Sequence, residues 1–499
     1  MTQSHTGTGV SPARTCVQPQ AETPLYVDLD GTLLASDALW ELLLALLKAH
    51  PFLVLWLPIW LLRGKAHLKQ QLAAHATLNA ALLPYRAPVL EFLQQERRRG
   101  REVVLATASD RVVAEAVAHH LGLFSAVLAS DGRVNLSGPA KLAAIRQHAR
   151  GAAFDYVGNS SADVPIWRES AGAILVQPSR RVERTASREA HAAAVLQPRP
   201  PATRALSNVL RSLRVHQWAK NVLLFVPLLL AHRVNDGARI LHAFLAFVAF
   251  DVTASAVYIV NDLLDLDSDR QHPHKRSRPL AAGEVAIPTA LMTAGFLLAI
   301  GALISATQLP VVFSDLLLLY VLATSAYSLA WKRVPIVDVL VLTGLYTVRV
   351  LAGAAATSVP ISPWFLAFSM FFFLSLAFVK RYSELRLPDE DGAEKHYLKS
   401  RGYVVSDAEL IRSVGPTSGY LAVLVLALYI NNPDVQVLYS HPAALWLIGP
   451  LLLYWLTRVW LLAHRGELHG DPVVFALTDR ISYLLAATIG VIVVLGAVK

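Results

Sequence analysis

The pattern of hydrophobic and polar positions divides the chain into two parts. The first part, residues 23–178, has short, mainly apolar strand-like segments beginning at Leu25, Glu102, Phe154 and Ala173, with helical periodicity between them. Strands that alternate with helices predict a parallel α/β sheet. The second part, residues 209–499, has long apolar runs separated by short charged loops. This pattern is typical of an all-α domain that crosses the membrane several times.

The flanking segments have different patterns. Residues 1–22 are polar and have no apolar core, so we expect a disordered tail rather than a secretory signal. Residues 179–208 are rich in Arg, Ala and Pro, which predicts a linker. Nine membrane spans can be drawn in the second part, at about 219–231, 240–260, 288–307, 311–330, 335–355, 362–379, 415–431, 443–463 and 481–498.

Composition supports the membrane interpretation. Of 499 residues, 54% are hydrophobic and 16% are charged, against about 25% charged residues in an average soluble protein. A disordered or fibrous chain is excluded, and a wholly soluble enzyme is disfavoured. The net charge of +9 would suit either nucleic acid or a membrane surface. The single cysteine, Cys16, excludes an intramolecular disulfide and a cysteine-based zinc site.

The distribution of Lys and Arg explains the positive charge and predicts the orientation. Fifteen of these residues lie in the loops after the even-numbered spans, whereas the opposite loops contain only Arg233 and Arg239. By the positive-inside rule, the even-numbered loops, the N-terminal domain and the active sites face the cytoplasm. We therefore expect a protein of the inner, cytoplasmic membrane with no nucleic-acid partner.

One apolar stretch lies inside the first part of the chain. Residues 42–62 are as apolar as a span but contain Lys48, Pro51 and Pro58. A single crossing would place Asp28 and Thr107 on opposite sides of the membrane. Two alternatives remain: a helical hairpin that dips into or lies on the bilayer, or a soluble cap with an apolar interior.

Two carboxylates follow the first strand, in Asp28-x-Asp30-Gly-Thr32. Ligands bind at the carboxyl ends of strands in open α/β sheets. Two nearby acids, one a nucleophile and the other an acid or base, suit phosphoryl transfer through an aspartyl-phosphate. Further candidates are Thr107 at the end of the second strand, Lys141 at the start of a helix, and Asp163 after the third strand.

These four sites, in this order, resemble the haloacid dehalogenase (HAD) phosphatase superfamily over residues 25–178. The resemblance implies that Asp28 is the nucleophile and Asp30 the general acid and base. It implies that Thr107 and Lys141 hold the phosphate and that residues 33–100 form a helical cap. It also implies a Mg²⁺ site with the ligands Asp28, Asp30, Asn159 and Asp163. Asn159 departs from the family, which usually has Asp there, so we expect weaker metal binding.

The densest acidic cluster follows the second span. Asp262, Asp265 and Asp269 are spaced i, i+3 and i+7, so that one helical face would carry all three. Three carboxylates on one face repel each other unless cations bridge them, and Mg²⁺ carrying a diphosphate is a suitable partner. Three basic residues that could neutralise phosphate oxygens follow at once. They are Lys275, Arg276 and Arg278.

Asn261-Asp262-x-x-Asp265-x-x-x-Asp269, followed by Arg278-Pro-x-x-x-Gly283, resembles the UbiA superfamily of membrane prenyltransferases over residues 208–499. Further strings resemble its polyprenyl-phosphate (decaprenyl-phosphate) phosphoribosyltransferase branch. They contain Arg214, Lys220, Asn221, Tyr327, Lys332, Asp338, Arg349, Lys380, Arg381, Glu384 and Asp471. Val215 departs from that branch, which often has Pro there.

The branch resemblance implies a reaction. Mg²⁺ bound at Asp262, Asp265 and Asp269 would hold the diphosphate of phosphoribosyl pyrophosphate, and a polyprenyl phosphate would attack the ribose. The fused HAD domain would remove the 5-phosphate from the lipid-linked product. The predicted substrate-binding residues are Lys220, Asn221, Asn261, Lys275, Arg276, Arg278, Tyr327, Lys332, Arg349, Lys380, Arg381 and Glu384.

Simpler roles remain open for several of these residues. Glu384 lies four positions from Lys380, so that it could form only a helical salt bridge. The adjacent 389–391 acidic run resembles a solvated loop. Arg349 and Asp338 lie in or at the edge of a span, where a charge is a functional candidate by default, but an ion pair that supports the cavity is the alternative.

Two other functions compete with the phosphoribosyl transfer. One is a prenyltransferase that uses a prenyl diphosphate and an aromatic or other acceptor, with a degenerate regulatory HAD domain. The other is a membrane scaffold or transporter, which the acidic stripe beside a basic run disfavours. The oligomeric state is open, and a homo-oligomer is possible.

Overall fold

The computed structural model describes residues 23–191, 193–386, 401–432, 439–468 and 471–497. The predicted disordered tail (1–22) and the acidic run 389–391 lie outside these residues. The chain divides into two compact units. The first comprises Met1–Asn208 with Pro279–Pro288, and the second comprises Val209–Arg278 with Thr289–Lys499.

The first unit contains a six-stranded parallel sheet in the order β3-β2-β1-β4-β5-β6. In the central strand, Leu25 and Val27 pack into one hydrophobic core, while Tyr26 packs into another on the opposite face. This confirms the predicted α/β fold. The strands are β1 Leu25–Val27, β2 Val103–Asp110, β3 Ala126–Ser130, β4 Asp155–Gly158, β5 Gly172–Val176 and β6 Ala193–Gln197.

Helices cover both faces of this sheet. Val89 and Leu93 of α4 pack against the first core, and Leu142 and Ile145 of α6 pack against the second. The helices are α1 Ala38–Ala49, α2 Leu57–Leu62, α3 Lys65–His75, α4 Ala87–Arg98, α5 Arg111–Leu121, α6 Pro139–His148, α7 Val164–Trp167, α8 Arg180–Glu189 and α9 Ala202–Ser212.

The sheet extends into the segment predicted as a linker. Ser179 caps α8 by accepting a hydrogen bond from the backbone of Val182, and Val182 and Ala186 are buried. Strand β6 then pairs with β5 and forms the edge of the sheet. Only two apolar positions of α8 are buried among arginines and glutamates, so composition alone indicated a linker.

The apolar stretch 42–62 is folded as part of the cap. Helix α1 ends at Ala49, a 3₁₀ turn spans Pro51–Trp56, and α2 follows directly. Because the chain turns at Pro51, no single helix crosses from 42 to 62. Its buried face forms a core of its own that includes Leu42, Leu46 and Trp60.

The second unit is all-helical and contains eight described helices that are long and apolar enough to cross a membrane. The first of the nine predicted spans, 219–231, is a 3₁₀ segment, Val215–Phe225, followed by the short helix α10, Val226–Leu230, and is shorter than the other eight. The long helices are α11 Gly237–Leu264, α13 Ile287–Gln308, α14 Val311–Leu329, α15 Val337–Thr357, α16 Pro363–Arg386, α17 Asp407–Ile430, α18 Ile448–His464 (with the preceding 3₁₀ turn from Pro442) and α20 Arg480–Ala497. The short helices are α12 Leu266–Gln271 and α19 Pro472–Ala476.

Candidate functional site

The predicted phosphatase residues meet at the carboxyl ends of β1, β2 and β4. The Lys141 ammonium lies 2.7 Å from an oxygen of Asp28 and 3.8 Å from Asp163. Lys141 also donates to the Tyr156 hydroxyl, which in turn donates to Asp163. All four side chains are buried. Lys141 therefore neutralises the predicted nucleophile in a site shielded from water.

Asp30 is held separately from Asp28. Its carboxylate accepts hydrogen bonds from the Ala38 backbone, at 2.8 Å, and from the Ser109 hydroxyl, at 2.5 Å. The Thr107 hydroxyl accepts a bond from the Ser109 backbone N–H. One short segment at the end of β2 thus positions both Thr107 and Asp30.

Burial shifts the pKa values of both acids. Burial raises the pKa of Asp28 to about 7, against the opposing effect of Lys141. Burial also raises the pKa of Asp30, and the nearby charge of Asp37 adds to that rise. A carboxyl with a raised pKa carries its proton more readily at neutral pH, which suits an acid catalyst at Asp30.

Asn159 packs on the loop that follows β1, and Asp163 orders the loop that follows β4. A Cβ placed on Gly31 would lie 2.1 Å from the Asn159 amide nitrogen, so Asn159 packs directly on this loop. Asp163 accepts hydrogen bonds from the backbone of Asn159 and from the backbone and hydroxyl of Ser160. Asp163 therefore uses most of its hydrogen bonds to order the loop after β4. Asn159 is the side chain that faces Gly31.

The aspartate stripe of the second unit lies at the end of α11. The helix is interrupted at Asp265, so that the stripe spans α11 and α12 rather than one continuous face. One nitrogen of Arg278 nevertheless contacts both Asp262, at 3.2 Å, and Asp269, at 2.6 Å. Arg214 also pairs with Asp262. A single cationic group thus bridges two of the three predicted metal ligands.

The third aspartate has a different cation. Lys332 lies 2.7 Å from Asp265. Asn261 is half-buried in the last turn of α11, and its carbonyl accepts from the Asp265 backbone. Lys275 is half-buried and Arg276 exposed in the next 3₁₀ turn. Within the basic run, Arg278 contacts two aspartates of the stripe directly.

A second charged cluster surrounds Asp471. Lys220 lies 2.6 Å and Lys380 3.5 Å from the same oxygen of Asp471, and the Tyr346 hydroxyl donates to both carboxylate oxygens at 3.0 Å. Although burial opposes it, the two ammonium groups hold the pKa of Asp471 well below its usual range. Lys220 and Lys380 come from distant parts of the chain and meet at one carboxylate.

Arg349 and Asn221 lie together inside the helical unit. The Arg349 guanidinium donates to the Asn221 side chain at 2.6 Å, and Asn221 donates to Asp251 at 2.5 Å. The rings of Phe250, Tyr320 and Tyr346 surround the guanidinium, with its central carbon 4.9–5.6 Å from their centroids. Arg349 is thus held by polar and aromatic neighbours rather than by an ion pair with Asp338.

Asp338 instead belongs to a third cluster. It pairs with Arg381 and accepts a hydrogen bond from the Tyr403 hydroxyl. Arg381 also pairs with Glu384, three positions away. The Tyr327 hydroxyl accepts from Arg381 and Arg401, at 2.9 and 3.0 Å. The predicted residues Tyr327, Arg381 and Glu384 therefore form one network.

Several residues with contacts at these sites were not among the predicted site residues. Asp471 and Arg214 lie in the sequence strings that resemble the phosphoribosyltransferase branch, and this resemblance was the signal that could have identified them. Nothing in the local sequence singled out Ser109, Tyr156, Asp251 or Tyr346, because their roles depend on contacts between distant segments. Within the described residues, no three His, Cys, Asp or Glu side chains form a cluster that could hold a metal ion by themselves.

A parallel α/β domain with paired aspartates, joined to a helical unit with a carboxylate stripe, defines a two-domain membrane protein. Residues 222–494 match the UbiA prenyltransferase family, and residues 25–168 match the haloacid dehalogenase-like hydrolases. The chain belongs to the UbiA prenyltransferase family and carries an N-terminal HAD-like domain. With its apolar helices, it is a multi-pass membrane protein.

Similar proteins match different parts of the chain. The protein y4nM of Sinorhizobium fredii is 38% identical over 93% of this chain and 89% of its own length. A decaprenyl-phosphate phosphoribosyltransferase of Mycobacterium tuberculosis is 33% identical over 60% of this chain and 97% of its own. A UbiA homologue from Archaeoglobus fulgidus, solved with DMAPP and Mg²⁺, is 18% identical, with a TM-score of 0.45, and aligns over 57% of this chain and 99% of its own.

Proposed function

We propose that the membrane domain transfers 5-phosphoribose from phosphoribosyl pyrophosphate to a polyprenyl phosphate. The observation that carries this proposal is the presence of two separate clusters with cations suited to phosphate. One contains Arg214, Arg278 and Lys332 at the aspartate stripe, and the other contains Lys220 and Lys380 at Asp471. A diphosphate donor and a monophosphate acceptor need two such sites.

The segment Val215–Phe225 joins the two clusters. Arg214, directly before it, contacts Asp262, while Lys220 within it contacts Asp471. At a rise of about 2 Å per residue in a 3₁₀ segment, the six intervening steps span on the order of 12 Å. The relatedness to the mycobacterial phosphoribosyltransferase supports the same pair of substrates.

The donor set of the first cluster fits Mg²⁺. Carboxylate oxygens are the ligands that this hard cation prefers, and the Arg278 contacts show that one cation reaches both Asp262 and Asp269. Asp262, Asp265 and Asp269 would hold the metal, which would offset charge on the leaving diphosphate. Arg278 and Lys332 would then contact phosphate oxygens.

The reaction breaks one bond and forms another at the ribose anomeric carbon. An oxygen of the lipid phosphate bonds to that carbon, and the carbon–oxygen bond to diphosphate breaks, so that the bonding electrons leave with diphosphate. Lys220 and Lys380 would orient the attacking phosphate. Fixed cations near the leaving group stabilise the transition state more than the ground state.

An apolar groove next to the second cluster suits a prenyl tail. Its volume is about 280 Å³, and it is lined by Leu223, Val226, Phe373, Trp455 and Val473 among others. Val473 follows Asp471 by two positions, and Phe373 stacks on Tyr346. A larger cavity of about 760 Å³ is lined by none of the predicted site residues.

We further propose that the HAD-like domain removes the 5-phosphate from the lipid-linked product. Asp28 would attack phosphorus to form an aspartyl-phosphate. Asp30 would protonate the leaving oxygen and then activate the water that hydrolyses the intermediate, while Thr107 and Lys141 hold the phosphate. Asp28 and Asn159 offer oxygen ligands for Mg²⁺, which would reduce charge repulsion at the phosphate. Both sites would face the cytoplasm at the inner membrane.

One assay tests the transferase. Purified full-length protein is incubated with Mg²⁺, polyprenyl phosphate and labelled phosphoribosyl pyrophosphate, and the lipids are extracted. We expect label in the lipid fraction, and its absence would overturn the proposal. A parallel reaction with labelled prenyl diphosphate and an aromatic acceptor tests the other UbiA chemistry, for which we expect no product.

A further inference from the structure

Large apolar side chains are exposed in the cap of the HAD-like domain. We define the cap patch as Phe52, Leu55, Trp56, Ile59, Leu61 and Leu62. Phe52, Leu55 and Leu62 are 83%, 76% and 87% exposed. Scattered exposed apolar residues are ordinary, but six within eleven consecutive positions are a local concentration of the kind found where a partner or a membrane binds.

The cap patch is the outer face of an ordered segment. On the inner face, Leu53, Leu57 and Trp60 pack against the cap core, and Trp60 stacks on His75 at 5.6 Å between ring centroids. Helices α2 and α3 also pack together. The exposed side chains are therefore presented on a folded scaffold and do not belong to a loose loop.

The charged side chains of the cap segment itself have one sign. No Asp or Glu occurs between Glu41 and Glu91. Lys48, Arg63 and Lys65 are exposed and flank the cap patch on both sides. An apolar face with a basic rim complements an anionic lipid surface, where apolar side chains enter the boundary and Lys and Arg meet phosphates.

We propose that the cap patch inserts into the headgroup–acyl boundary of the anionic bilayer that holds the membrane domain. The chain is a multi-pass membrane protein, so the HAD-like domain is covalently tethered to helices in that bilayer. The charge pattern favours lipid over a protein partner. Together with the proposed function, such insertion keeps the phosphatase site at the surface where a lipid-linked substrate lies.

Depth measurement on the full chain tests the insertion without depending on enzyme activity. Because Cys16 is the single cysteine, Cys16→Ser gives a cysteine-free background. Leu55→Cys and Leu62→Cys are then labelled with a nitroxide. The matched control is Gln147→Cys, at an exposed position on α6. This helix packs against the second core of the sheet and not against the cap core. All proteins are reconstituted in phosphatidylglycerol nanodiscs.

The accessibility of each nitroxide to oxygen and to a water-soluble nickel chelate gives the result. We expect high oxygen and low nickel accessibility at positions 55 and 62, and the reverse at 147. Nickel accessibility at 55 and 62 equal to that at 147 would overturn the proposal. Low accessibility to both reagents would also overturn it, since this result marks burial against protein.

The basic rim is tested by charge reversal. Arg63→Glu with Lys65→Glu, in the Leu55→Cys background, should lower the oxygen accessibility at position 55 in phosphatidylglycerol nanodiscs. In phosphatidylcholine nanodiscs the same pair of substitutions should have a smaller effect. Equal effects in both lipids would overturn the preference for anionic lipid. A failed transferase assay would leave these depth results unaffected, so the two proposals fail independently.

Discussion

The ammonium of Lys220 lies 2.6 Å from a carboxylate oxygen of Asp471, although 251 positions separate the two residues in the chain. Both side chains are about nine-tenths buried. This pair joins the segment after Arg214 to the loop before α19, at the point where Lys380 and Tyr346 also converge. It anchors the proposed site of the lipid phosphate.

Removal of one partner of this pair should destabilise the protein. Asp471→Asn leaves Lys220 and Lys380 facing each other in a buried site, and breaking a buried pair costs about 3–5 kcal/mol. We expect a lower unfolding temperature in detergent. Lys220→Met with Asp471→Asn should recover much of that stability but not transferase activity. Unchanged stability of the single variant would contradict the buried pair.

The aspartate stripe should be essential for transfer. Asp262→Asn and Asp269→Asn each remove a carboxylate that contacts Arg278, and we expect a loss of roughly 100-fold or more in rate, as for a lost electrostatic group in an active site. Asp267→Asn is the matched control, because Asp267 lies between them in sequence but is exposed. Equal losses in all three variants would argue against a specific site.

Asp28→Asn should separate the two activities. The substitution removes the proposed nucleophile and keeps its size, so that labelled 5-phosphoribosyl lipid should accumulate in membranes while transfer continues. Glu115→Gln, at an exposed position on α5, is the control and should not cause accumulation. If the phosphorylated lipid fails to accumulate with Asp28→Asn, the dephosphorylation step is wrong.

Asn159→Asp should strengthen metal binding in the HAD-like domain. The substitution adds a negative charge where the amide packs on Gly31, and a carboxylate attracts Mg²⁺ more strongly than an amide. We expect half-maximal phosphatase activity at a lower Mg²⁺ concentration, measured by titration of the metal. An unchanged or higher Mg²⁺ requirement would place the metal away from residue 159.

Gly353→Ala should disturb the packing that supports the membrane site. A Cβ at this position would lie 2.0 Å from the Leu224 carbonyl oxygen, so that α15 and the Val215–Phe225 segment must separate. We expect a loss of about 1–3 kcal/mol, as for overpacked cores, measured by unfolding in detergent. Gly344→Ala, on the same helix with open space around it, should be close to neutral. A stable Gly353→Ala variant would contradict this close approach.

Both fold classes and the main motifs could be predicted from the amino-acid sequence. Alternating strands and helices predicted the sheet that holds Asp28, and long apolar runs predicted the membrane helices. These signals are local, because burial of a strand or a span requires apolar residues in consecutive or periodic positions. Because these signals are local, the sequence prediction differs from the structure at two places. The few apolar residues of α8 and β6 did not reveal the edge of the sheet, and the segment at 215–230 was as apolar as a span but is short.

The contacts between side chains, in contrast, could be read only from the folded chain. The spacing predicted one helical face for Asp262, Asp265 and Asp269, but the helix is interrupted at Asp265. In the structure Asp265 pairs with Lys332, whereas Asp262 and Asp269 both pair with Arg278. Likewise, the convergence of Lys220 and Lys380 on Asp471 depends on the packing of helices far apart in sequence. Pairing between buried charges is set by three-dimensional distance, and local patterns do not encode that distance.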